Sequence, residues 1–176
     1  MAGDTTPKVL KALIERLNLQ RHPEGGWFRE IFRSDVVLPG HALPEGYDRS
    51  VRGGDRCAVT SILFLLPAGG RSRWHRIPSE EIWLHQQGDD VRLFMAAPAP
   101  RSPKARASDV PEADLPGAGA EREIILGQGE NASLQAVVPR QWWQSAQALP
   151  GESGYTLVAC IVAPGFEFAD FELAGD

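Results

Sequence analysis

The fold class this sequence predicts is all-β, a sandwich or barrel of short antiparallel strands preceded by one helix. Three observations carry the prediction. Apolar and aromatic runs of four to ten residues recur through most of the chain, Gly, Pro, Asn and Asp punctuate them, and a helical apolar period occurs only at the start. At 176 residues, the chain is long enough to bury one good core in a single domain.

The helix comes first. Thr6 can cap it, Pro7 suits its first turn, and Val9, Leu10, Leu13, Ile14 and Leu17 form an apolar stripe that ends before Asn18. WFREIFR, starting at Trp27, alternates as a strand, and a Gly/Pro-rich loop follows from about Leu38 to Gly54. The segments CAVTSILFLL, RSRWHR, EIWLHQ, VRLFMA, EREIIL, SLQAVV, RQWWQS, GYTLVACIV and FEFADFEL then read as strands, the last one closing the fold. Between them, residues 97–120 are rich in Ala and Pro and poor in large apolar side chains, which predicts a surface insertion and not a domain boundary.

Charge and composition remove several function classes. With 18 Lys and Arg against 23 Asp and Glu, the net charge of -5 offers no global attraction to nucleic acid or to an anionic membrane surface. No apolar run reaches the ~18 residues that cross a bilayer, and MAGDTTPK lacks the features of a signal peptide, so the expected location is the cytoplasm. Cys57 and Cys160 each sit in an apolar run, where buried reduced thiols are expected.

The most informative stretch is GGRSRWHRIPSEEIWLHQQG. In it Gly69, His75, Glu81 and Gly88 are spaced as G-x5-H-x-I-x3-E-x6-G. Alternation puts Arg73, His75 and Ile77 on one strand face, and Glu81 and Trp83 on one face of the next. Pro78 and Ser79 suit a turn between them, so a hairpin would bring His75 and Glu81 toward one point.

This spacing resembles the first motif of the cupins, a superfamily of double-stranded β-helix, or jelly-roll, barrels. It matches four of five fixed positions, and Ile77 stands where metal-binding cupins have a second histidine. In the second motif, P-x-G-x2-H, PRQWWQ supplies Pro139 but has Gln141 for the glycine and Gln144 for the histidine. A closer resemblance is to the cupin-5 family, also called domain of unknown function 985. HPEGGWFREIFRS from His22, TSILFLL from Thr60, SRWHRIPSEEIW from Ser72, VVPRQWWQS from Val137 and LVACIVAPGFEFADFEL from Leu157 carry it. The resemblance implies a cupin jelly-roll barrel over about residues 20–173, a homodimer, and a likeness to the metal-free sugar-nucleotide epimerases.

Parity then sets the candidate pocket. If His75 points inward, Arg73 and Ile77 accompany it, Trp83 accompanies Glu81, and Trp142 accompanies Gln144. Tryptophan faces suit a base or sugar ring, and a guanidinium reads phosphate or carboxylate through paired hydrogen bonds. Ser72 joins these residues as a ligand contact. In HPEGGWFRE, the glycines allow a tight turn, and Trp27, Arg29 and Glu30 start a strand near the barrel mouth. His22 and His85 read as structural, and His41 as a loop residue.

Three functions fit these residues. In the first, His75 is a general base, with Glu81 as its acidic partner, in a metal-independent isomerase or epimerase for a sugar, sugar nucleotide or similar polar, anionic compound. No cofactor is expected in that case, and the related epimerases' tyrosine acid has no counterpart, since Tyr47 and Tyr155 lie outside the motifs. In the second, His75, Glu81 and Gln144 hold a divalent metal. In the third, the pocket binds or senses a small ligand without catalysis.

Overall fold

The computed structural model describes residues 8–98 and 121–175. Thr6, Pro7 and most of the expected insertion, residues 99–120, lie outside the described residues. Helix α1 (Lys8–Leu17) buries Leu10 and Leu13, each worth ~2 kcal/mol of apolar transfer, and half-buries Ile14 and Leu17. Val9, expected in the stripe, is exposed. The helix ends in a Schellman motif. Asn18 takes the left-handed conformation (φ 51°), its N–H meets the Glu15 carbonyl at 3.1 Å, and Leu19 N–H meets the Ile14 carbonyl at 2.9 Å.

Thirteen strands follow among the described residues: β1 (Gln20–Arg21), β2 (Trp27–Arg33), β3 (Val37–Leu38), β4 (Arg56–Cys57), β5 (Thr60–Pro67), β6 (His75–Arg76), β7 (Glu80–Gly88), β8 (Val91–Ala96), β9 (Glu121–Leu126), β10 (Gln135–Val138), β11 (Trp143–Ala148), β12 (Tyr155–Ala163) and β13 (Glu172–Leu173). They form a six-stranded sheet in the order β1-β2-β5-β12-β7-β10, a five-stranded sheet in the order β13-β6-β11-β8-β9, and the small β3-β4 pair, and all the pairings are antiparallel. Phe64, Leu66, Trp83 and Val158 of the first large sheet pack against Leu93, Met95, Leu126 and Ala146 of the second. This is the expected jelly-roll architecture. The unbroken apolar run in β5 follows from burial on both faces, because Phe64 and Leu66 face the other sheet while Leu65 packs against α1.

Two expected strands shrink. Of RSRWHR only His75–Arg76 pairs as a strand, and of FEFADFEL only Glu172–Leu173 does, because Phe168–Asp170 is a 3-10 turn. The hairpin expected between His75 and Glu81 is also absent. β6 pairs with β11 and β13, whereas β7 pairs with β12 and β10, so the Pro78–Ser79 turn carries the chain from one sheet to the other. His75 and Glu81 therefore approach each other across the interior.

A buried ion pair holds the C-terminal segment over the sheets. Arg56, 1% exposed, donates to both Asp170 carboxylate oxygens at 2.7 and 2.6 Å and to the Asp48 and Asp55 carbonyls. At Gln141, where the cupin pattern has glycine, the backbone keeps the left-handed conformation (φ 66°), and its N–H bonds the Ile77 carbonyl at 2.9 Å. A side chain there costs ~1 kcal/mol or more of backbone strain.

Candidate functional site

His75, Glu81, His22 and Glu24 line one cavity of ≈ 80 Å³ between the sheets. Its apolar walls include Phe28, Phe64, Ile77, Phe166, Phe168 and Phe171. β6 delivers His75 opposite Gln144 of β11, and β7 delivers Glu81 from the facing sheet. The HPEGG turn delivers His22 and Glu24. Gly26 makes that turn feasible, since it holds φ 69° and a Cβ there would lie 2.6 Å from the Leu65 carbonyl oxygen.

The hydrogen bonds fix where the protons sit. Nδ1 of His75 lies 2.9 Å from the Arg73 carbonyl, which can only accept, so Nδ1 carries the hydrogen. The Nε2 lone pair then faces Glu24 Oε2 at 3.2 Å. A bare lone pair and a carboxylate oxygen repel at that distance, so one proton must lie between them. The same Glu24 oxygen stands 3.4 Å from His22 Nδ1, which accepts the Glu24 backbone N–H at 3.4 Å. Burial lowers His75 to about 4. Burial, and then the neighbouring His75, lower His22 to about 4. Glu24 is pushed well above the usual carboxylate range by burial first and the Glu81 charge second. These directions agree on one state at neutral pH, a neutral imidazole accepting a hydrogen bond from a protonated Glu24.

Glu81 is the second buried carboxyl. It accepts from Gln144 Nε2 at 2.5 Å and pairs with the Cys160 thiol, while burial raises it. Gln144 Oε1 in turn accepts the Trp83 indole N–H at 2.9 Å. Trp83, expected in the pocket wall, is a 1% exposed core residue behind Gln144, with its ring edge-on to Phe64.

The other expected ligand contacts divide. Glu30 lines the cavity mouth, and an irregularity in the β2–β5 pairing between Glu30 and Phe32 brings Arg33 to the same side. Trp27 and Arg29 have the opposite parity, and Trp27 packs with α1 and under Arg21. Trp142 half-packs on the core below Arg122. Ser72 is buried, but its Oγ is spent on the Ala146 N–H at 2.8 Å. The Arg73 side chain faces a separate surface depression with Arg71 and Trp74. The parity argument fails here because residues 72–74 are not in a strand. Arg73 serves the site through its backbone instead, with its N–H on the Glu24 carbonyl at 2.7 Å and its carbonyl on His75. Neither Tyr47 nor Tyr155 lines the cavity; Tyr47 bonds Ser79 and Tyr155 bonds Gln87.

Sequence reasoning missed Glu24 and set His22 aside as structural. An acid two residues after a histidine in a glycine turn was the available signal.

Comparison with known proteins places this arrangement. The profile of the family described as cupin superfamily (DUF985), Cupin_5, matches residues 11–174. The chain belongs to the cupin-5 family. Among solved structures, this cupin-5 chain is similar to a hypothetical protein from Leishmania major at 30% identity and TM-score 0.70, over 92% of this chain and 85% of that one. It is also similar to the protein SO0799 from Shewanella oneidensis at 27% identity and TM-score 0.67, over 93% and 82%. A Bacillus subtilis oxalate decarboxylase variant shares the fold alone, at 15% identity and TM-score 0.51, over 89% of this chain and 30% of that one. No curated protein matches the sequence.

Membership in the cupin superfamily raises the question of a metal. Of the expected ligands, Gln144 is a neutral amide whose Oε1 already accepts the Trp83 indole N–H and whose nitrogen donates to Glu81. Ile77 offers no donor. Among the described residues, no group of three or more His, Cys, Asp or Glu is arranged to hold a metal ion. The set His75, Glu81 and Gln144 does not fit one.

Proposed function

We propose that this cupin is a metal-independent isomerase or epimerase of a small polar carbonyl compound, with His75 as general base and Glu24 as the acid. The observation that carries the reading is the 3.2 Å approach of His75 Nε2 to Glu24 Oε2 in a buried cavity, with His75 Nδ1 on the Arg73 carbonyl. A substrate carbonyl oxygen entering there takes over the Glu24 hydrogen bond, which frees the Nε2 lone pair to remove a proton from the adjacent carbon. Glu24 gives its proton to the oxygen as the enediol forms. In the second half, either His75 returns a proton to the former carbonyl carbon while Glu24 takes one from the neighbouring hydroxyl, which moves the carbonyl by one carbon, or the enediol turns over so that His75 protonates the opposite face of the same carbon while Glu24 takes its proton back. In both cases the two groups regain their starting states. Glu81 would hold a substrate hydroxyl beside them. The Arg73 carbonyl stabilises the imidazolium by accepting its Nδ1 hydrogen throughout. We further propose that the protein is cytoplasmic and homodimeric. No described helix is long and apolar enough to cross a membrane.

Proton exchange tests the reading without a known substrate. The protein is incubated in D2O with neutral, acidic and amino-substituted sugars and keto compounds, and NMR follows loss of the α-proton signal. We expect exchange on at least one compound, reduced about a hundredfold or more in His75→Gln and Glu24→Gln. Exchange that survives both substitutions contradicts the proposal, and no exchange on any compound leaves a binding protein.

A further inference from the structure

We infer that the ligand of this cavity is a small organic amine, held as its ammonium ion against the buried carboxyls and the phenylalanine wall. The inference names the ligand class for the site proposed above and rests on that being the ligand site.

Four carboxyl groups line the cavity, Glu24 and Glu81 in its depth and Glu30 and Glu167 at its mouth, against one guanidinium, Arg33. Arg33 has nothing left to offer an anion. Its five N–H groups meet five acceptors: Nε and one Nη2 hydrogen bond Glu30 at 3.1 and 2.8 Å, the other Nη2 hydrogen bonds the Phe166 carbonyl at 3.1 Å, and Nη1 bonds Glu167 at 2.9 Å and Cys57 Sγ at 3.6 Å. The other basic side chain first expected to read an anion, Arg73, faces a different depression. A carboxylate or phosphate would thus meet carboxyl oxygens and, among the described residues lining the cavity, no guanidinium N–H left to bind it. An ammonium meets acceptors in the depth and aromatic rings around them, with Phe166, Phe168 and Phe171 standing 4.9 to 6.2 Å apart at one side. An ammonium N–H can also be accepted by Glu81 and by the Glu24 oxygen that does not carry the proton shared with His75.

Three probes of one shape and different charge test this: benzylamine, benzyl alcohol and benzoate, titrated calorimetrically into the full chain near neutral pH. Benzylamine is expected to bind about tenfold or more tightly than benzyl alcohol, with no measurable heat from benzoate. The variant with Glu30→Gln and Glu167→Gln releases Arg33 and should gain benzoate binding. Benzoate binding the native protein as tightly as benzylamine, or no binding by any of the three, overturns the inference. Proton exchange on the carbonyl panel is unaffected by these outcomes, so failure of the ligand class and failure of the acid–base reading are told apart.

Discussion

At Glu24 the cost of function is a carboxyl kept protonated. Its folded value lies above the ordinary 4.5, so its stabilising contribution is complete at low pH and is lost as pH rises above 4.5. The two histidines act oppositely. Lowered to about 4 from 6.5, His22 and His75 leave stability intact above 6.5 and withdraw it as pH falls toward 4. Glutamine at position 24 keeps a donor toward His75 Nε2 but has no charge to suppress. Glu24→Gln should therefore become progressively more stable than the native protein as pH rises, by up to ~1.4 kcal/mol per unit, while keeping the acid-side decline. Urea midpoints at about pH 5 and pH 8 check it, and an equal difference at both would contradict a raised Glu24. Of these residues, His75 and Glu81 were legible because a fixed spacing carries them. Glu24 and His22 were not, since a glycine turn has no periodicity from which to read a side-chain direction.

At the scale of elements, the sequence showed where apolar runs lie but not which runs pair. The turn at Pro78–Ser79 was visible, yet nothing local distinguishes a hairpin from a crossing between sheets, and the partners that separate β6 from β7, β11 for the one and β12 for the other, lie about 70 to 80 residues further along the chain. FEFADFEL alternates well, but Arg56 and Arg33 pull its Asp170, Glu167 and Phe166 carbonyl inward from outside the segment, and a turn results. Gln141 shows the reverse case. The missing glycine looked like a lost motif, while the backbone retains the left-handed geometry under a different residue. The tryptophans misled for a simpler reason: Trp83 is large enough to fill the core of a small barrel, while Trp142 packs half-buried on that core, and neither lines the cavity.

For the whole molecule, the helix and the two-sheet core were readable from composition and period, whereas the cavity required the sheets to be stacked. Among the described residues, one edge remains open. β1 covers β2 only at Trp27 and Phe28, and beyond them Ile31 and Phe32 of β2 are 47 and 53% exposed, followed by Val36 and Val37 at 58 and 55%. Pairing of two chains there would cover the patch about a two-fold axis. Sedimentation equilibrium at micromolar concentration should return twice the 19.2 kDa chain mass, and Phe32→Glu should return a monomer; a monomeric native protein would contradict the pairing. The barrel's larger contribution is the burial that favours a neutral His75 beside a carboxylic acid. An NMR titration of 15N-labelled histidine reads that state directly. The predicted result is a neutral His75 with hydrogen on Nδ1 at neutral pH, protonating only near pH 4. An imidazolium at neutral pH, or a hydrogen on Nε2, would contradict the shared proton on which the proposed chemistry depends.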